Sequence, residues 1–222
     1  MDDGKVHQER LMSIAGGETQ PDRRIPIEWT TGDIWEGMRA HDRVLADGVV
    51  EPCFEFMRAQ PDPVRLKKKD LREYLEYREA DFAKSYLSAM MRFSMSLHMT
   101  PEELSVIYPV DRNICKHMSV TNDIWSFDKE MRAAQTAHPE GGALSSAVST
   151  FTSMVDIPTE GSKRILQGLC REWELVHDKL VKDVLILMDN KTVREYLKAL
   201  QLQASGNEAW SKFTPRYRVS NI

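Results

Sequence analysis

Along the chain, apolar residues recur mostly three and four positions apart, the period of one face of an α-helix. From about Glu28, the residues Ile34, Met38 and His41 keep that spacing, and Val44, Leu45 and Val49 continue it. Pro52 permits a fresh helix start ahead of Phe54, Phe56 and Met57, and Pro61 and Pro63 end that helix. A long helix is predicted from about Lys69 to His98, with Leu71, Leu75, Phe82, Tyr86, Met90, Phe93 and Leu97 along its apolar face. Thr100, Pro101 and Glu103 spell a capping box with proline at the first helical position. The helix they start runs to about Arg132, with a kink expected at Pro109. Further helices are predicted over about 143–155, 159–188 and 193–205. Residues 1–26 are polar and carry Gly16-Gly17, Pro21 and Pro26, so they read as a loop or frayed segment. The basic run Arg65 to Lys69 reads as a solvated loop, and His138 to Gly142 as another loop. The sequence shows no alternating strand pattern, hairpin dipeptide or internal repeat. The expected class is all-α, an antiparallel helical bundle forming a single domain over 1–222.

Composition narrows the partners. The 222 residues carry 30 Lys+Arg and 34 Asp+Glu, a net charge of −4, which argues against a general polyanion binder; no nucleic-acid partner is expected. With 41% hydrophobic and 29% charged residues the chain suits a folded globular protein. No apolar run is long enough to span a membrane, and the start MDDGKVHQERLM has no apolar core of a secretory signal. Cys53, Cys115 and Cys170 are odd in number and widely spaced, so reduced, mostly buried thiols and a cytoplasmic location are expected. His117 and His138 are expected to be structural or surface residues, because no second His or Cys falls at a metal spacing.

The chemically informative stretch is Thr121 to Glu130, TNDIWSFDKE. Asn122, Ser126 and Glu130 lie at i, i+4 and i+8, within roughly 80° of each other on one helix stripe about 12 Å long. Helical side chains lean toward the N-terminus, so the long Glu130 reaches back toward the two shorter ones. An amide oxygen, a hydroxyl oxygen and a carboxylate are hard ligands that suit Mg²⁺, with Mn²⁺ as a substitute; zinc would ask for His or Cys. Lys129 lies about 20° from Asn122 around the helix, so a cation points to the same mouth. Ion and ammonium together describe a phosphate or diphosphate site. A solvated helix face has the same polar spacing, but Ile124, Trp125 and Phe127 interleave with it and leave little room for one. Asp123 is about 100° away from Asn122 and is set aside as a ligand, and Asp128 points elsewhere again.

These residues resemble the class I terpene cyclases, in particular the fungal sesquiterpene synthases. Asn122-Asp123-Ile124 through Ser126 to Glu130 matches that family's second metal motif, (N/D)DxxSxxxE, with intact spacing. Arg78 and Asp81, within YLEYREAD, match an arginine that senses diphosphate and an aspartate that links it to the metal helix; Tyr77 adjoins them. Arg216-Tyr217 resembles the pair that closes over the diphosphate, and Lys129 the lysine inside the metal motif. Phe56 and Trp210 match aromatic pocket positions, although ordinary core packing accounts for them equally well. Likeness extends to PDRRIP from Pro21, WEGMRAHD from Trp35, MRFSM from Met91, CREWEL from Cys170 and SGNE from Ser205, and so covers about residues 7–219.

The resemblance implies the class I terpenoid synthase fold and an Mg²⁺-dependent cyclase that ionises farnesyl diphosphate. The product would be a bicyclic hydrocarbon and the leaving group diphosphate. Arg78, Lys129, Arg216 and the Tyr217 hydroxyl would stabilise the departing anion, and aromatic faces the migrating cation. Methionine (12) and phenylalanine (7) fit an apolar pocket lining, though a Met-rich core is the commoner reason for them. The family's first motif, DDxx(D/E), is not in these residues: Asp2-Asp3 precede Gly4-Lys5. The expectation is therefore a cyclase domain whose N-terminal helices are missing. The alternative is an inactive cyclase paralogue or a helical interaction protein, and self-association as a homodimer is compatible with either. A chain-elongating prenyltransferase would carry two aspartate-rich motifs, which the Asn/Ser/Glu version argues against.

Overall fold

The computed structural model describes residues 3–60, 70–134 and 145–218. The helices in chain order are α1 (Asp3–Gly16), α2 (Pro26–His41), α3 (Arg43–Ala59), α4 (Leu71–Asp81), α5 (Lys84–Ser94), α6 (Pro101–Ala134), α7 (Ala147–Val155), α8 (Thr159–Leu187) and α9 (Lys191–Phe213). A 3-10 turn, Pro215–Tyr217, follows α9. No strand occurs among the described residues, so the all-α expectation holds. The loops expected at Arg65–Lys69 and His138–Gly142 lie outside the described residues.

The residues pack as two compact units, Met1–Pro61 with Ala83–His98 and Asp62–Phe82 with Met99–Ile222. The first unit holds α1, α2, α3 and α5 around Ala15, Trp35, Val49 and Ala89, with Phe54, Tyr86 and Phe93 packed against them. The second holds α4 and α6 to α9, and its core joins Tyr74, Val120, Ile124, Phe127, Val148, Leu166 and Cys170. Burying a side chain such as Leu166 stabilises the fold by roughly 1.5–3 kcal/mol. α6 is the axis of this unit and packs against α4, α7, α8 and α9.

Several boundaries differ from the sequence reading. Residues 1–26 are not all loop. Helix α1 ends at Gly17, whose φ of 81° suits glycine. Around it the Gly17 amide reaches Ile14 O at 3.0 Å and the Glu18 amide reaches Ser13 O at 3.0 Å, so the glycine pair closes a helix. The stripe that starts near Glu28 breaks at Asp42, not at Pro52. The Asp42 amide bonds back to Met38 O at 3.0 Å, which ends α2, and its carboxylate accepts from the Leu45 amide at 3.0 Å, which starts α3. Pro52 is inside α3. Four residues before it stands Gly48, which has no side chain and faces open space.

The expected helix from Lys69 to His98 is two helices, because Ala83 takes a left-handed conformation (φ 58°, ψ 30°) between α4 and α5. One αL residue leaves the apolar period almost intact, so spacing alone passes over it. The capping box forms as read, with Thr100 N to Glu103 Oε2 at 2.8 Å and Glu103 N to Thr100 Oγ1 at 3.2 Å. Helix α6 continues through Pro109.

Candidate functional site

The second unit brings three stretches together: the middle of α6, the last turns of α4, and the end of α9 with the turn after it. On α6, Ser126 is buried (1% exposed), and its Oγ has no hydrogen-bond partner. A buried hydroxyl without a partner loses about 1–3 kcal/mol. Asn122, one turn before, donates from Nδ2 to the Tyr217 hydroxyl at 2.7 Å, which leaves its amide oxygen available. Glu130, one turn after, is half-buried. Its charge acts on both Asp123 and Tyr217. Lys129 beside it is half-buried too. The donor set is thus three hard oxygens on one stripe of a helix anchored on its other faces, and it fits a divalent cation that prefers oxygen.

The C-terminal turn closes on this stripe. Thr214 Oγ1 accepts from the Arg216 amide at 3.3 Å and fixes the turn's start. The Trp210 ring stands edge-on to Tyr217, with centroids 5.3 Å apart and planes at 82°. Burial pushes the Tyr217 phenol up, while the Asn122 hydrogen bond and the Arg216 charge pull the other way. Because the hydroxyl accepts from Asn122, its own proton remains for donation to an anion. Arg216 is exposed, and Trp210 is half exposed.

Arg78 lies below the surface of α4. Its Nη1 pairs with Asp81, and its Nη2 pairs with Asp123 Oδ1 on α6 at 2.9 Å. The guanidinium stacks over Tyr74 at 5.9 Å and Phe82 at 5.3 Å, and its Nε has no acceptor. Burial opposes the charge on Arg78, but Tyr74, Asp123 and Asp81 outweigh it and hold the group charged. Asp81 also accepts from the Tyr77 hydroxyl at 3.3 Å. The contact seen from this pair to α6 is made by the arginine, through Asp123.

Asp123 is the residue the sequence reading undervalued. It is buried (2% exposed) and accepts from the Tyr74 hydroxyl, from Arg78 and from the Ala147 amide at 2.8 Å. Three elements, α4, α6 and the start of α7, therefore meet on one carboxylate. Burial pushes its pKa up and the three donors pull it down. Its angle of about 100° from Asn122, the reason it was set aside as a ligand, is what turns it toward α4 and α7.

Other expected residues lie elsewhere. Asp128 is exposed and pairs with Lys163 at 2.9 Å. Phe56 belongs to the first unit, where its ring stacks on Tyr86 at 6.4 Å. A cavity of 350 Å³ borders Tyr217 and is lined by Trp125, Asp128, Lys163, Arg164 and Lys212. Burial pushes the Cys170 thiol up to about 11, which keeps it protonated. No helix among the described residues is long and apolar enough to cross a membrane.

The family model described as terpene synthase family 2, C-terminal metal binding, matches residues 3–175. The chain is 46% identical over 220 residues to (+)-aristolochene synthase of Penicillium expansum, covering 98% of this chain and 66% of that protein. It is 45% identical over 219 residues to aristolochene synthase of Aspergillus terreus, covering 98% and 68%. It thus spans about two thirds of the length of these curated relatives. The crystal structure of aristolochene synthase from Penicillium roqueforti superimposes with a TM-score of 0.84 at 43% identity, over 96% of this chain and 70% of that one. Germacradien-4-ol synthase from Streptomyces citricolor, at 15% identity and a TM-score of 0.76, shares the fold.

Proposed function

Because the chain belongs to terpene synthase family 2, we propose that it acts in sesquiterpene cyclisation, taking farnesyl diphosphate to an aristolochene-like bicyclic hydrocarbon. Asn122, Ser126 and Glu130 would hold Mg²⁺, or Mn²⁺ in its place. When bound, the ion supplies positive charge beside the diphosphate. The observation that carries this reading is the buried Ser126 hydroxyl without a partner, flanked on its stripe by Asn122 and Glu130 and closed over by Tyr217.

The chain's own residues have distinct tasks. Tyr217 donates its hydroxyl proton to a diphosphate oxygen, and Arg216 and Lys129 add positive charge at the same mouth. Arg78, with Asp81 and Asp123 fixing its two terminal nitrogens, presents a preorganised guanidinium to the leaving anion. Trp210, edge-on to Tyr217, offers a π-face to a cation. Cyclisation requires water to be kept from the cation, since water would quench it to an alcohol.

Incubation with farnesyl diphosphate and Mg²⁺, followed by extraction and mass spectrometry of the hydrocarbons, tests the activity. Calorimetry with inorganic diphosphate tests the site alone: binding requires Mg²⁺ and weakens by at least roughly tenfold in Ser126→Ala and Glu130→Gln. Diphosphate binding that ignores Mg²⁺ or both substitutions overturns the metal assignment. Mg²⁺-dependent diphosphate binding without hydrocarbon release would favour the non-catalytic alternative.

A further inference from the structure

Outside this site, three helices of the second unit converge on a second group of donors. His117 comes from α6, Arg171 and Glu174 from α8, and Glu208 from α9. His117 is buried (3% exposed), and its Nε2 lies 3.1 Å from Glu174 Oε1. One ligand atom from each of His117, Glu174 and Glu208 falls within 4.8 Å of the other two. The other ring nitrogen of His117, Nδ1, is buried without a partner. Arg171 bridges the two carboxylates, while its side chain is 56% exposed. A cavity of 440 Å³ lined by Cys170, Arg171, Glu208 and Lys212 opens beside the group.

We propose that His117, Glu174 and Glu208 form a second divalent-cation site, selective for a zinc-like transition metal, in which the ion displaces Arg171. One imidazole nitrogen with two carboxylate oxygens is a mixed donor set that zinc accepts and Mg²⁺ does not favour. The two carboxylates sum to −2, and Arg171 offsets half of that. A zinc ion with bonds of about 2.0–2.2 Å needs its donors about 3–3.5 Å apart, a separation the His117–Glu174 pair already has. Glu208 closes the remaining gap once the guanidinium leaves. Arg171 is free to swing into solvent because its side chain is half exposed. The adjoining cavity supplies an entry path and room for the waters that complete the shell. Sequence spacing could not reveal this group, since its members are 57 and 34 residues apart and meet only through helix packing.

The site is independent of the cyclase reading, and its test separates the two. Calorimetric titration of the full chain with Zn²⁺, and the visible absorption of a Co²⁺ titration, should show one equivalent bound. His117→Gln and Glu208→Gln should each weaken Zn²⁺ at least roughly tenfold. Arg171→Ala should tighten it by about tenfold, the scale of one charge-assisted hydrogen bond removed from competition. Mg²⁺-dependent diphosphate binding should be unchanged in all three variants. Absence of Zn²⁺ uptake by the parent chain overturns the proposal. So does uptake that survives His117→Gln but is lost in Cys170→Ser. Should His117→Gln fail to fold, an Arg171→Ala chain that binds Zn²⁺ no better than the parent overturns it as well.

Discussion

A single buried carboxylate decides how Arg78 is presented. Asp123 takes hydrogen bonds from α4 and from the first residue of α7, and breaking a buried, hydrogen-bonded pair by removing one partner costs about 3–5 kcal/mol. Asp123→Ala should lower unfolding stability by that order in urea titrations, with Asp123→Asn intermediate because the amide keeps the shape without the charge. An Asp123→Ala chain as stable as the parent would show that the network is idle. The motif pointed to the right turn of helix but not to this partner set. Helical period tells which residues share a face; it does not tell that Tyr74, 49 residues earlier, meets that face. A second carboxylate, Glu28, offers a pH test. Hydrogen bonds from Arg10, and then from the Asp22 amide, hold it below its ordinary value of 4.5. The unfolded chain therefore takes up this proton first as pH falls, so the stabilisation is present above about pH 4.5 and is lost below it. Glu28→Gln should lower the urea midpoint at neutral pH, and the gap to the parent should close on acidification. A gap that stays constant to acid pH would mean that the Arg10 contact contributes nothing.

At the level of elements, local chemistry was readable where it was written in one place. The Thr100/Glu103 box and the Asn122–Ser126–Glu130 stripe each lie within a few turns of one helix; the box forms its two hydrogen bonds, and the stripe lies within α6. Breaks set by a single residue's conformation were not readable. Asp42 looks like one more polar position in a helical run, and Ala83 like one more good helix former. A non-glycine residue in the left-handed region costs roughly 1–2 kcal/mol. Ala83 carries that cost at φ 58°, and α5 has no side-chain cap there to offset it. Ala83→Gly should therefore raise the urea midpoint, worth up to about 1 kcal/mol after the added flexibility of the unfolded chain. Ala83→Val, β-branched in the same conformation, should lower it. The opposite order would place the strain elsewhere.

For the molecule as a whole, net charge and fold class say little about the ligand. A chain of charge −4 binds an anion only where positive groups are gathered locally. Arg78, Lys129, Arg216 and Tyr217 all belong to the unit built on α6, as do Asn122, Ser126 and Glu130. A ligand that binds only the folded state stabilises it by RT ln(1 + [L]/Kd), about 2.7 kcal/mol at a hundred times Kd. The protection falls on the segments that touch the ligand. Hydrogen exchange with Mg²⁺ and diphosphate together should slow amides around Asn122 to Glu130 on α6, the end of α4 and the turn after α9, and leave α1 to α3 near their free rates. Zn²⁺ should instead slow amides around His117 on α6, around Arg171 to Glu174 on α8 and around Glu208 on α9. Two non-overlapping footprints would assign two separate cation sites to one helical unit. A single footprint shared by both ions would collapse them into one and remove the case for His117 as a ligand.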